Sequence, residues 1–362
     1  FAHLAFNELS QDLLEEILSW LPASSFFRLR SVCKRWSSVA ASPTFSISCS
    51  HIPFRDPWFL MVDQDLDHSF ILDTSEGNWK RLNRPSCFNQ SNQASWIAVA
   101  SSGGLVCFRS NMGEFMVSNL LTGACREIPP ARETQPLLAV AVSSSHSNSF
   151  SYRIVLVAGE LPNLPYRVFD SEQNQWEDEV MLARKPEGSP ETDLAGDTVY
   201  FLNKSGDVVA TSMQRNPSRQ FSAVLSIKDG EEIVYFLSHL GLVVACNIAK
   251  NTFHEYPMLL PVSSEYSVDV VLCMKEMVVV LMSDLFETAS LRLWRFSEAK
   301  RAWQQVIAMP PVMSHEFYGK KADINCVGCG DMIFVCLNSS EFSRCVIFNV
   351  GTNEWLELLK CL

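Results

Sequence analysis

Between residues 9 and 22 the apolar positions fall three and four apart. Leu14, Ile17, Leu18 and Leu21 follow the i, i+3, i+4, i+7 spacing of one helical face, and Glu15, Glu16 and Ser19 sit off it. Ser10 is placed to cap the helix start. Asp12 lies in the first turn, where the peptide dipoles favour an anion. Pro22 stops the helix, since its ring clashes with the preceding turn. A second helical stretch begins near Ser24 and carries Phe26, Phe27, Val32, Cys33 and Trp36. Beyond residue 50 the pattern changes to short apolar runs that read as strands. Trp96–Ala100 pairs naturally with Leu105–Phe108, and Val268–Met274 with Met277–Met282. The pattern predicts a helical region over 1–50 and a strand region over 51–362.

The strand region repeats. Six segments place an apolar strand before Asp, Asn or Ser, and six residues later comes an anchor that is usually aromatic. The pairs are Asp73 and Trp79, Asn119 and Cys125, Asp170 and Trp176, Asn247 and Phe253, Ser297 and Trp303, and Asn349 and Trp355. The polar positions are 46, 51, 77, 50 and 52 residues apart. The long step holds Asp197–Leu202, Gly206–Thr211 and Phe221, which read as a degenerate seventh copy. A period near 45–50 residues with several strands per copy is the signature of a β-propeller. The polar residue suits the turn into the fourth strand. The anchor opens that outer strand and packs between neighbouring copies. Seven blades are favoured and six are the alternative.

The helical region is too small and too apolar to bury its own Leu, Ile, Phe and Trp side chains. Either it packs on the strand region or it docks on another helical protein. Leu9, Leu13, Leu14, Ile17, Leu18, Leu21, Pro22, Phe26, Arg30, Val32-Cys-Lys-Arg-Trp36 and Ser42-Pro-Thr-Phe45 resemble an F-box. Leu9-Ser10 departs from the Leu-Pro usual there, but serine at the cap does the same structural work. The resemblance implies docking on the Skp adaptor of Skp–cullin–F-box ubiquitin ligases. It implies that role for Leu9, Leu13, Leu14, Ile17, Leu18, Leu21, Pro22, Phe26, Val32, Cys33 and Trp36. Asp56-Pro-Trp-Phe59, Ala100–Phe108 and Leu291-Arg-Leu-Trp294 with Trp303 and Met309-Pro310 resemble plant F-box/kelch proteins. The double glycine of kelch blades appears only as Gly103-Gly104, before a strand, so the blades diverge from that pattern. The implied fold class is a small all-α F-box followed by an all-β kelch-type β-propeller.

Charge sharpens the division. The net charge is 29 − 40 = −11. Residues 1–48 are balanced, with Arg28, Arg30, Lys34 and Arg35 against Glu8, Asp12, Glu15 and Glu16. The acidic excess lies in the strand region, which makes direct binding of nucleic acid or an anionic membrane unexpected and suits a basic protein surface. No run of apolar residues is long enough to predict a transmembrane helix. Twelve cysteines scattered through so apolar a chain read as reduced core residues of a nuclear or cytosolic protein.

Candidate chemistry is sparse. Cys326-Val-Gly-Cys329 has the spacing of half a zinc site, without a second pair. The seven histidines are isolated, and no hydrolase elbow, phosphate loop or dinucleotide fingerprint occurs. No cofactor, metal or catalytic residue is expected. The reading is a substrate receptor that binds the Skp adaptor, and through it a cullin, and holds a protein client by its propeller. The alternatives are a co-regulator that grips a transcription factor, and a small-molecule-sensing propeller. Loops that follow outer strands share a face with loops joining second and third strands. That face would gather Arg109, Met112, Arg132, Glu133, Arg184, His315, Phe317 and Tyr318 for the client.

Overall fold

The computed structural model describes residues 9–29, 31–39, 42–52, 56–62, 69–82, 88, 95–119, 123–131, 135–144, 151–185, 200–202, 208–210, 221, 223–238, 241–259, 266–283, 290–317, 322–339 and 342–358. Arg132, Glu133 and Tyr318 lie outside them.

Among the described residues four short helices come first: α1 (Gln11–Ser19), α2 (Ala23–Leu29), α3 (Lys34–Val39) and α4 (Pro43–Ser50). The second helical stretch of the sequence is thus three helices. As expected, Ser10 caps α1, its hydroxyl accepting from Leu13 N at 3.3 Å. Leu14, Leu18, Phe26, Val39 and Phe45 form a buried core, with Leu21, Leu29, Trp36 and Cys49 packed against it. The rings of Phe26 and Phe45 stack at 4.8 Å.

The strands form six sets of antiparallel neighbours. The first is β1 (Trp58–Val62), β2 (Ser69–Asp73) and β3 (Asn78–Leu82). The second is β4 (Trp96–Ser102), β5 (Leu105–Ser110), β6 (Phe115–Asn119) and β7 (Ala124–Ile128). The third is β8 (Leu137–Ser144), β9 (Tyr152–Ala158), β10 (Leu164–Asp170) and β11 (Gln175–Trp176), and after it come β12 (Val180–Arg184) and a hairpin of β13 (Tyr200–Leu202) and β14 (Val208–Ala210). The fourth is β15 (Ala223–Lys228), β16 (Glu231–Leu237), β17 (Val243–Asn247) and β18 (Thr252–Glu255). The fifth is β19 (Tyr266–Cys273), β20 (Glu276–Ser283), β21 (Ser290–Ser297) and β22 (Ala302–Ala308). A short helix, α5 (Pro311–Ser314), precedes the sixth: β23 (Asp323–Cys329), β24 (Met332–Asn338), β25 (Ser343–Asn349) and β26 (Glu354–Leu358).

The sequence repeat maps onto these sets residue for residue. In all six, the polar residue ends the next-to-last strand and the anchor is the second residue of the last. The reason is the turn between them. Asp73, Asp170, Asn247 and Asn349 accept backbone N–H bonds of the turn through Oδ1, and Ser297 accepts from Lys300 N through its hydroxyl. Four residues after each polar residue the backbone enters the left-handed region, at Gly77, Gly123, Asn174, Asn251, Arg301 and Asn353. Glycine and asparagine fill five of these six places because they tolerate that conformation best.

Two of the anchors tie their set to its predecessor. Trp176 Nε1 donates to Pro129 O at 2.7 Å, and Trp303 Nε1 donates to Pro257 O at 2.6 Å. Both prolines stand just past the outer strand of the set before. Trp79, Trp176, Trp303 and Trp355 are partly buried. An outer strand has one flank open, so a ring there is covered on one side only. Phe253 alone among the aromatic anchors is fully buried.

Two compact units divide the chain. One comprises 1–131, 142–154 and 169–176, and the other comprises 132–141, 155–168 and 177–362. In the first, Phe88, Trp96, Val106, Phe108 and Met116 form a core with Leu60 and Leu82. In the second, Tyr166 and Leu182 share a core with Phe236 and Phe253, so the third and fourth sets are direct neighbours. Strand β12 pairs with β10 and then, in parallel, with β18. The β13–β14 hairpin, the core of the degenerate seventh copy, is a separate two-stranded sheet and does not stand between them. Two further cores join the fourth set to the fifth and the fifth to the sixth. The fold class is therefore a small all-α unit followed by all-β propeller blades, and the described residues form six such sets.

Candidate docking surfaces

Helix α1 has two apolar stripes. Leu14 and Leu18 point inward, to 1% and 2% exposure, and Glu15 and Ser19 are buried beside them. Leu13, Ile17 and Trp20 remain 56%, 47% and 63% exposed. Their i, i+4, i+7 spacing places all three on one face. Val32 and Cys33, between α2 and α3, are also exposed, and Leu9, Leu21 and Trp36 are half-buried. Pro22 is exposed.

Two corrections to the sequence reading follow. Leu14, Leu18 and Phe26 are core residues of the helical unit and present no docking surface. Ile17 does not share their face, although all fit one helical pattern, because α4 covers only the Leu14–Leu18 side. Trp20 was missed. The signal was present in the spacing from Leu13 through Ile17 to Trp20.

Buried polar contacts hold this arrangement. The Glu15 carboxylate accepts from Gln11 Nε2 at 2.8 Å and from the Thr44 hydroxyl, linking α1 to α4. Burial raises the Glu15 pKa, but hydrogen bonds from Thr44, Gln11 and Ser42 outweigh it, and the group is held below its ordinary value. Arg35 donates to Leu9 O, so the Val32-Cys-Lys-Arg-Trp36 segment also ties α3 to the start of α1.

Glu76, in the β2–β3 turn, is the hub that joins the helices to the first set. It accepts from the buried Ser24 hydroxyl of α2 at 2.7 Å, from Arg28 of α2 at 3.0 Å, and from Asn78 at 3.1 Å. Lys80 Nζ lies 2.9 Å from both Glu76 and the buried Asp73. The Ser24 and Lys80 hydrogen bonds bring the Glu76 pKa down to about 2. For Asp73 burial pushes upward, yet bonds from Ser75 and Lys80 prevail and bring it to about 2.

The candidate client residues are placed unequally. In the first unit Met112 is exposed and Arg109 sets its guanidinium 5.8 Å from the Phe115 ring. In the second, Arg184 pairs with Glu255 at 3.3 Å and His315 is exposed. Phe317 is a correction: it is buried in the core between the fifth and sixth sets and its ring lies tilted against Phe342 at 5.4 Å. Its ring anchors the turn and is not available to a partner.

Reactive chemistry is little developed among the described residues. No group of three His, Cys, Asp or Glu side chains there could hold a metal ion. Cys326 is half-buried and Cys329 exposed on β23. Burial pushes the Cys107 thiol up to about 12 and the Cys273 thiol up to about 11, which removes their nucleophilicity at neutral pH. Cys125 is disulfide-bonded, a departure from the expectation of reduced cysteines. No described helix is long and apolar enough to cross a membrane.

A helical module that leaves Leu13, Ile17 and Trp20 exposed among the described residues, followed by propeller blades, defines a protein of a small helical end and a repeat scaffold. Residues 6–48 match the model of the F-box domain. Along 98% of its length the chain is 46% identical to F-box only protein 13 of Arabidopsis thaliana, covering 80% of that protein. It is 26% identical to F-box only protein 6 of the same plant, covering 70% of it. Over 54% of the chain it is 31% identical to an Arabidopsis F-box/kelch-repeat protein, covering 51% of that one. The chain belongs to the F-box protein family.

Proposed function

We propose that this protein is the substrate-recognition subunit of a Skp–cullin–F-box ubiquitin ligase. The exposed stripe of Leu13, Ile17 and Trp20 carries the reading. Such a stripe on a helix already buried on its other side is suited to an apolar groove in a partner. In this role the protein contributes proximity and no catalytic side chain. It raises the effective concentration of client beside the ubiquitin-charged enzyme. The client is a protein held by the blade loops of the second unit, through exposed side chains such as His315. The acidic strand region favours a basic client surface, and a transcription factor working in the nucleus fits that description.

The test is adaptor binding by the folded full-length protein. Leu13→Ala, Ile17→Ala and Trp20→Ala together are expected to weaken binding to a Skp adaptor by a hundredfold or more. Interface anchors carry about 2 kcal/mol or more each when fully covered. The melting temperature is expected to stay unchanged, since these side chains are exposed. Unaltered adaptor affinity in the triple variant overturns the proposal.

A further inference from the structure

Cys336 in β24 and Cys345 in β25 are directly opposed across the ladder of the sixth set. Their sulfurs lie 3.7 Å apart. The ladder's alternation is fixed at both ends. Val350 N donates to Asp331 O at 2.8 Å, and Ser339 N donates to Phe342 O at 2.9 Å. Counting inward from either end makes Cys336 and Cys345 a non-hydrogen-bonded pair. Opposed Cα atoms come within about 4.5 Å at such pairs, with the side chains closest. That separation lies within the range of about 4.4–6.8 Å that disulfides span.

The two thiols also share one face of the ladder. Ile333, Val335, Leu337, Val346 and Phe348 point into the core shared with the fifth set. By strand alternation Cys336 and Cys345 point to the opposite face. Drawing their sulfurs together therefore displaces no side chain of that core. Cys345 is half-buried and Cys336 buried, so an incoming reagent meets Cys345 first.

We infer that Cys336 and Cys345 form a site of reversible disulfide formation, oxidised by a small disulfide of the glutathione class. The Cys345 thiolate attacks one sulfur of oxidised glutathione. That S–S bond breaks, and the first glutathione leaves as a thiolate and takes up the proton Cys345 gave to solvent. The Cys336 thiolate then attacks Cys345 Sγ, and the second glutathione leaves in the same way. The two protein thiols lose two electrons and two protons, and oxidised glutathione gains both. The second step is intramolecular across 3.7 Å, so it outruns capture of Cys336 by a second glutathione. The product ties β24 to β25 beside the connection at 339–342. This inference concerns the sixth set alone and does not depend on adaptor docking.

The test uses the folded full-length protein, equilibrated in buffers of oxidised and reduced glutathione, quenched by alkylation, and mapped without reduction. The expected result is a loss of two hydrogens that maps to one Cys336–Cys345 cross-link and is reversed by excess reduced glutathione. Cys345→Ser is expected to abolish the cross-link. Cys336→Ser is expected to stop at one glutathione on Cys345. Should either variant fail to fold, the wild-type map decides alone. Alkylation of both thiols after oxidation overturns the inference, and so does a cross-link from either cysteine to Cys326. Cys336→Ser protein that folds and carries no glutathione overturns the proposed order of attack.

Discussion

Asp73→Asn separates the charge of the β2–β3 turn from its shape. Asn occupies the equivalent place in three other sets, so the turn accepts it. The Oδ1 acceptor for Ser75 N and Glu76 N is kept. What is lost is the carboxylate oxygen 2.9 Å from Lys80. Asp73 is fully buried, so solvent screens this contact little. A carboxyl brought from 3.8 to about 2 carries about 2.5 kcal/mol of pH-linked stability. The folded-state pKa is depressed, so this stability is present above about pH 4 and lost as pH falls toward 2. Urea unfolding followed by tryptophan fluorescence should show Asp73→Asn about 2.5 kcal/mol less stable at pH 7. The gap should close progressively between pH 4 and pH 2. Glu76 titrates in the same window in both proteins, so the acid slope of the variant falls but does not vanish. Hydrogen exchange of α2 should quicken, because the turn that presents Glu76 to Ser24 and Arg28 is loosened. A gap that stays constant from pH 7 to pH 2 would refute the electrostatic account. Equal stability at pH 7 would refute the role of the contact altogether.

Three further outcomes are expected. Gly328→Ala should destabilise severely, by about 3 kcal/mol or more, or prevent folding, because its Cβ would stand 1.8 Å from Leu272 O of the neighbouring inner strand; a soluble variant with unchanged unfolding midpoint contradicts that close approach. Gly123→Ala has open space around it and should lose only the backbone term, about 1–2 kcal/mol, while Gly123→Asn should lose less; equal effects of the two in a denaturation series count against the left-handed turn. Trp303→Phe should lose the bond to Pro257 O while keeping its contacts with Tyr256 and Phe296, at about 1 kcal/mol, against about 3–5 kcal/mol or somewhat less for Trp303→Ala given its partial exposure. Thermal melts of the two variants distinguish packing from hydrogen bonding.

Local rules made much of this protein readable from sequence. The polar residue, the left-handed position four residues on and the anchor six residues on are dictated by one turn, and a turn depends on nearby residues alone. The cap at Ser10 and helix α1 were readable for the same reason, whereas the division of the next stretch into three helices was not. Which side of α1 is buried was not. Leu13, Leu14, Ile17 and Leu18 are equally apolar, and only the packing of Phe26 and Phe45 against Leu14 and Leu18 turns the other stripe outward. The fate of Phe317 was likewise decided by a neighbouring set, whose Phe342 receives it. The hub at Glu76 joins residues 48 and 52 positions apart, a pairing that no periodicity announces. Which sets meet is also a tertiary outcome: the sequence between Asp170 and Asn247 has room for another copy, but among the described residues Tyr166 and Leu182 share a core with Phe236 and Phe253. Sequence determines what each short segment prefers, while burial depends on which segments meet, and that is settled only when the whole chain is packed.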